Sequence, residues 1–101
     1  MASYGLTVPL SGIPLLEHRS TLDELRSLGY QELWSAETDG ADGFTPLVLG
    51  AAWSDDLRLG TAIIPAFTRG PALIAMSAAS LASIAPGRVS LGIGSSSNVI
   101  V

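Results

Sequence analysis

Cysteine is absent from the 101 residues, histidine occurs once and charge is scarce. Without thiols the chain can form neither disulfides nor thiolate metal sites. One histidine, His18, cannot assemble a zinc cluster alone, so no metal site is expected. Charged residues make up 14% of the chain, against about 25% in ordinary globular domains. Only five are Lys or Arg, they form no basic cluster, and the net charge is −4. That composition speaks against nucleic-acid binding. No apolar run approaches the roughly 18 residues of a membrane span. Met1–Gly5 lacks the basic and apolar regions of a signal peptide. The expectation is a soluble cytoplasmic protein.

What is present is apolar: 48% of residues are hydrophobic, which suits a parallel sheet covered on both faces or an obligate interface. The stretch from Leu59 to Pro71 shows the pattern most fully. Ala62, Ile63 and Ile64 form an unbroken apolar run. Pro65 cannot donate to a sheet ladder, so a strand should end there. Arg69, Gly70 and Pro71 then open a helix, with proline at its favoured first position.

The rest of the chain repeats this unit of strand, polar turn and helix. Gly5–Leu10 reads as a first strand ended by Pro9. A first helix lies within Pro14–Leu28, with Leu15, His18, Leu22 and Leu25 on one stripe and Gly29 as its stop. Either Pro14 opens it, or the capping box at Thr21–Glu24 starts a separate helix. Glu32–Ala36 is the second strand and Glu37–Gly43 its exit loop. Thr45 caps, and Pro46 opens, a helix to about Ser54. The third helix, Pro71–Ala85, carries Ser77, Ser80 and Ser83 on a narrow face that allows close packing. Pro86 and Gly87 end it, and the fourth strand runs from Arg88 to Gly94.

Strand starts near residues 5, 32, 59 and 88 are spaced by 27 to 29 residues. This matches the unit of an eight-fold barrel, in which about 250 residues are shared among eight β/α units. The predicted fold class is therefore α/β, the N-terminal half of a (β/α)8 TIM barrel with about four parallel strands and three helices. Residues 1–101 would form one partial barrel domain. A doubly wound open sheet is the alternative, but its glycine-rich turn after the first strand is missing. A half barrel leaves two strand edges and an apolar strip bare, so the chain is expected to be a fragment or one half of an assembly.

Three stretches carry a family resemblance. They are Gly29-Tyr30 with Leu33–Glu37, then Leu57–Pro71, then Ala85–Ser97. In their order and spacing the chain resembles the luciferase-like monooxygenase superfamily, specifically its branch of oxidoreductases that use the deazaflavin coenzyme F420. The resemblance implies a single barrel about three times this length, whose C-terminal part is absent here. It implies a hydride-transfer site at the C-terminal mouth of the strands, where barrel active sites are built. It also implies that a bulge ending the third strand backs the cofactor ring, often through a non-prolyl cis peptide, here Ala62–Ile63.

The cofactor-binding residues so implied are Thr61, Ala62, Ile63, Gly92, Gly94, Ser95 and Ser96, and the catalytic ones Glu37 and Thr38. The cofactor carries the chemistry, so the protein need only position it and exclude water. F420 is the expected cofactor, with flavin mononucleotide (FMN) as the alternative found in the same superfamily. Two departures matter. Family enzymes often place a histidine after the second-strand acid, where this chain has Thr38. Those acting on sugar phosphates place an acid after the fourth-strand glycines, where this chain has Ser95–Ser97.

Each residue also has a plainer reading. Thr61–Ile63 could be an ordinary core strand, and Gly92 and Gly94 could serve tight packing; no third glycine completes a dinucleotide fingerprint. Glu37 could be a general acid or base, or a cap for the next helix. Arg69 could meet an anionic substrate or hydrogen-bond across its turn. His18 reads as a packed helix residue, Trp34 and Trp53 as core, and Asp39, Asp42, Asp55 and Asp56 as turn and capping acids. The expected parent is an enzyme passing a hydride between F420 and a small-molecule substrate, as a homo-oligomer with no nucleic-acid or membrane partner. The alternatives are an FMN-dependent monooxygenase, or an inactive truncated half barrel that self-associates through its bare edges. The isolated chain is expected to be inactive.

Overall fold

The structure, a computed structural model, describes residues 3–37 and 40–95. Strand β1 (Tyr4–Val8) is followed by a single 3-10 turn (Leu15–Glu17) and α1 (His18–Ser27). Then come β2 (Tyr30–Ser35), α2 (Thr45–Trp53), β3 (Arg58–Thr61), β4 (Ile64–Pro65), α3 (Pro71–Ile84), β5 (Val89–Ser90) and β6 (Ile93–Gly94). The main sheet has the order β1-β2-β3-β5, all parallel, and β4 pairs with β6, also parallel. A helix lies between each strand of the main sheet and the next, because parallel neighbours require a crossover. Four parallel strands with three helices is the expected α/β unit of a TIM barrel.

Local chemistry explains most boundaries. Gly29 stops α1 at φ +100°, a left-handed conformation that side chains rarely adopt. Pro46 and Pro71 sit in the first turns of α2 and α3. The start of α2 differs from the sequence reading. The N-cap is Phe44 rather than Thr45 and has no side-chain cap of its own. From two residues before it, Asp42 Oδ2 accepts the N–H groups of Phe44 (3.0 Å) and Thr45 (3.1 Å), donors that the helix start leaves free. Helix α1 runs unbroken through Thr21, so the capping box there starts nothing. Ser80 and Ser83 do not form a packing face. They are exposed and return their hydroxyls to the carbonyls of Met76 and Ser80.

The core lies on the helix side of the sheet. Leu33, Ser35, Leu59 and Thr61 are buried at alternating positions, together with Leu22, Leu47, Ile74 and Leu81 from the helices. Gly50 lets α2 come close, since a Cβ there would lie 2.6 Å from Leu33 Cδ2. The opposite face differs from the two-sided cover that the apolar run suggests. Thr7, Arg58, Ala62 and Ser90 are exposed there. Trp34 is half-buried on this face rather than in the core. Its ring lies on Gly60, and its Nε1–H donates to Glu32 Oε1 (3.1 Å). Among the described residues only one face of the sheet is covered.

His18 is a structural histidine. It is buried, Nε2 accepts the Leu10 N–H (2.8 Å) and Nδ1–H donates to the Pro14 carbonyl (3.0 Å). The ring thus pins the loop after β1 to α1. Replacing His18 by leucine keeps the bulk but strands the Leu10 donor. A loss of about 1–3 kcal/mol is expected, read as a lower urea midpoint with an unchanged slope.

Candidate functional site at the strand ends

At their C-terminal ends the third and fourth strands break together. Leu59 and Gly60 pair with Val89 and Ser90, whereas Ile64 and Pro65 pair with Ile93 and Gly94. Three residues, Thr61–Ile63, therefore face two, Leu91 and Gly92. One extra residue in one strand is a β-bulge, which interrupts the ladder and bends the strand. Ala62, Ile63 and Ile64 are thus not one core run. Ala62 is exposed, Ile63 half-buried and Ile64 fully buried.

The bulge is held from both sides. On one side Ala62 N–H donates to the Ser35 carbonyl (2.6 Å) and Glu37 N–H to the Ile63 carbonyl (3.1 Å). On the other, Ile64 N–H donates to the Gly92 carbonyl (2.9 Å) and Ala66 N–H to the Gly94 carbonyl (2.8 Å). Where the backbone ladder fails, a side chain replaces it. Thr61 Oγ1 accepts the Gly92 N–H and donates to the Gly92 carbonyl, both at 2.9 Å. The Ala62–Ile63 peptide bond is cis, as the resemblance implies.

Both glycines of β5–β6 answer to this geometry. A Cβ on Gly92 would strike the Thr61 carbonyl oxygen, and one on Gly94 would lie 2.7 Å from Ile63 Cδ1. Their missing side chains make room for the neighbouring strand, which is the packing reading. What remains at the mouth is a shelf with Ala62 and Ser95 exposed and Ile63 half-buried. Thr38 and Ser96 lie outside the described residues, as does Asp39.

Beside the shelf stands a charge cluster. Arg69 Nε donates to both oxygens of Glu37 (3.0 and 2.8 Å), and Arg69 Nη2 donates to Glu37 Oε1 (2.8 Å). Gly43 N–H donates to Glu37 Oε1 (2.9 Å), and Asp42 Oδ2 lies 3.5 Å from Arg69 Nη2. The guanidinium also sits 5.2 Å from the centre of the Phe44 ring, within cation–π range. The side chains of Arg69 and Glu37 are only 15% and 14% exposed. Hydrogen bonds from Arg69 hold the Glu37 carboxyl below the ordinary carboxylate range, against the opposing effect of burial. The Gly43 N–H and the Arg69 charge act in the same direction. Glu37 therefore stays ionised and tied, and Arg69 reaches across to another strand's exit loop instead of bonding within its own turn.

The bulge lies where the resemblance implies one, but two pairings were not expected from the sequence: Thr61 with Gly92, and Arg69 with Glu37. Each joins residues more than 30 positions apart. No local motif marks either one.

A parallel β/α unit, with its site shelf at the C-terminal strand ends, defines a TIM-barrel segment of the kind that supports catalysis at that face. The chain belongs to the luciferase-like monooxygenase family, whose model matches residues 5–101. Rv3520c of Mycobacterium tuberculosis, provisionally named a coenzyme F420-dependent oxidoreductase, is 32% identical over 88 residues, covering 87% of this chain and 25% of its own length. The uncharacterized protein Rv1360 of the same organism is 39% identical over 66 residues, covering 65% of this chain and 19% of its own. In fold, the chain superposes on the coenzyme F420-dependent tetrahydromethanopterin reductase of Methanopyrus kandleri. The TM-score is 0.82 at 22% identity, over 97% of this chain and 28% of that one. The monooxygenase RslO1 of Streptomyces bottropensis gives a TM-score of 0.70 at 21% identity, over 92% and 33%. The chain spans about a quarter of the length of the first of these curated relatives and less of the second. No helix among the described residues is long and apolar enough to cross a membrane.

Proposed function

We propose that this chain carries the ring-supporting part of an F420-dependent oxidoreductase, which transfers a hydride between the deazaflavin and a small organic substrate. The observation that supports this most is the bulge at Thr61–Ile63, pinned between β2 and β5–β6 at the strand ends. Its shelf suits a flat ring. Ala62 and Ile63 offer apolar support, Ser95 offers a hydroxyl at the edge, and no titratable side chain stands on Ala62, Ile63, Gly94 or Ser95. When bound, the deazaflavin supplies the hydride chemistry. The protein's residues support one face of the ring and keep water from it.

In this reading Glu37 acts as a positioning residue. Its oxygens are occupied by Arg69 and the Gly43 N–H, so it orders the loop that leads into α2. Branch and cofactor follow the relative provisionally named F420-dependent. FMN is the rival, since the family also includes monooxygenases.

The test is a fluorescence titration of the purified chain with F420 and, separately, with FMN. Saturable F420 binding at least tenfold tighter than FMN binding is expected. Ile63→Asp, which puts a charge on the shelf, should weaken F420 binding by a further tenfold or more. Tighter FMN binding would transfer the reading to the flavin branch, and no binding to either would overturn it.

A further inference from the structure

Thr61 is buried, and the one proton of its hydroxyl and one of its two lone pairs are engaged with a single residue, Gly92. A hydroxyl so engaged has no proton left to donate to a ligand. It does what a strand backbone would do at this level of the ladder, where the extra residue in β3–β4 has left a gap. We infer that Thr61 is a positioning residue: its hydroxyl joins β3 to Gly92, in the link from β5 to β6, across the bulge, and so fixes the height of the shelf formed by Ala62, Ile63 and Gly94 without touching what binds there. The part concerning a bound ring rests on the function proposed above.

The geometry leaves few substitutes. Gly92 must lie against the Thr61 carbonyl, since any Cβ would collide with it. Its carbonyl accepts two donors, the Thr61 hydroxyl and the Ile64 N–H. Losing the hydroxyl leaves the half-buried Gly92 N–H without its protein acceptor. It also removes the link that keeps β6 in step with β4. Serine retains the hydroxyl and should retain the link. Valine matches the shape of threonine but cannot make it.

The experiment is amide hydrogen exchange by NMR on the wild-type chain, Thr61→Val and Thr61→Ser, with F420 and FMN titrations of each. In Thr61→Val the Gly92 amide should exchange about tenfold faster or more, the cost of one lost buried hydrogen bond. Leu33 and Leu59, in the intact ladder, should keep their protection. F420 binding should weaken about tenfold by the same count, and Thr61→Ser should restore both. A second measurement covers the case in which Thr61→Val does not fold. The wild-type Thr61 hydroxyl proton should be visible as a slowly exchanging signal close to the Gly92 amide.

An unchanged Gly92 rate in Thr61→Val, equal losses in valine and serine, or a fast-exchanging wild-type hydroxyl would each overturn the inference. If the wild-type chain binds neither cofactor, the ring role of Thr61 fails together with the proposed function. A fast Gly92 amide in Thr61→Val would then still uphold the strand link.

Discussion

Gly92→Ala should be the most damaging single-methyl change in the chain, at about 3 kcal/mol, the upper end of ordinary overpacking costs. The added Cβ meets the Thr61 carbonyl oxygen, which belongs to the backbone and cannot swing aside like a side chain. Relief requires the link between β5 and β6 to move away from β3, and that breaks the Thr61 hydroxyl bonds and the Ile64–Gly92 bond together. Gly40 is the control. A Cβ there meets nothing within 4 Å and its φ is unexceptional, so Gly40→Ala should lie within about 0.5 kcal/mol of wild type. Urea unfolding of the two variants decides. A Gly92→Ala midpoint equal to that of Gly40→Ala would rule out the contact between Gly92 and the Thr61 carbonyl.

Arg69→Met is expected to cost about 2–3 kcal/mol at pH 7, somewhat below the range for fully buried pairs because about one-seventh of each side chain still meets water. The methionine retains the apolar contact with Phe44 but leaves Glu37 ionised, largely buried and next to Asp42. The pH dependence has a definite sign. Glu37 is held below its ordinary value of 4.5 by Arg69. Its contribution to stability is therefore complete above that value and is lost as pH falls through the lower folded-state value. In Arg69→Met the largest lowering cause is gone, and only the Gly43 N–H still opposes the upward push of burial and Asp42. Acid then neutralises the stranded group and relieves the variant. The gap between the two proteins should be widest near pH 7 and narrow below about pH 4.5. A gap that is constant with pH would mean that packing, not charge, sets the cost. Arg69→Lys should fall between them, since lysine keeps the charge but cannot grip both carboxylate oxygens.

Much of the fold was legible because its signals are local. Pro46 and Pro71 opened helices, Gly29 and Gly87 closed or turned them at positive φ, and the strand spacing gave the β/α unit. Errors appeared where a local rule met a tertiary contact. Thr45 looked like a cap, but it is the first helical residue, and its N–H is met by Asp42 in a loop that also faces Arg69. The apolar triplet Ala62–Ile64 looked like one buried strand, yet the bulge sends its first residue to the surface. The lack of a side chain at Gly92 and Gly94 also has a packing reason that no local pattern shows: a Cβ at either would meet Thr61 or Ile63.

The sequence by itself determined the alternation of strands and helices, most of their ends and the lack of disulfides. Each depends on residues within a turn or two of one another, or on composition. The tertiary structure alone decided what the strand ends are made of. Thr61 finds Gly92 at a separation of 31 residues and Arg69 finds Glu37 at 32. Both pairings depend on strand register, and a single extra residue in the third strand changes that register by one. Composition and periodicity carry no record of which neighbour a bulged strand will meet.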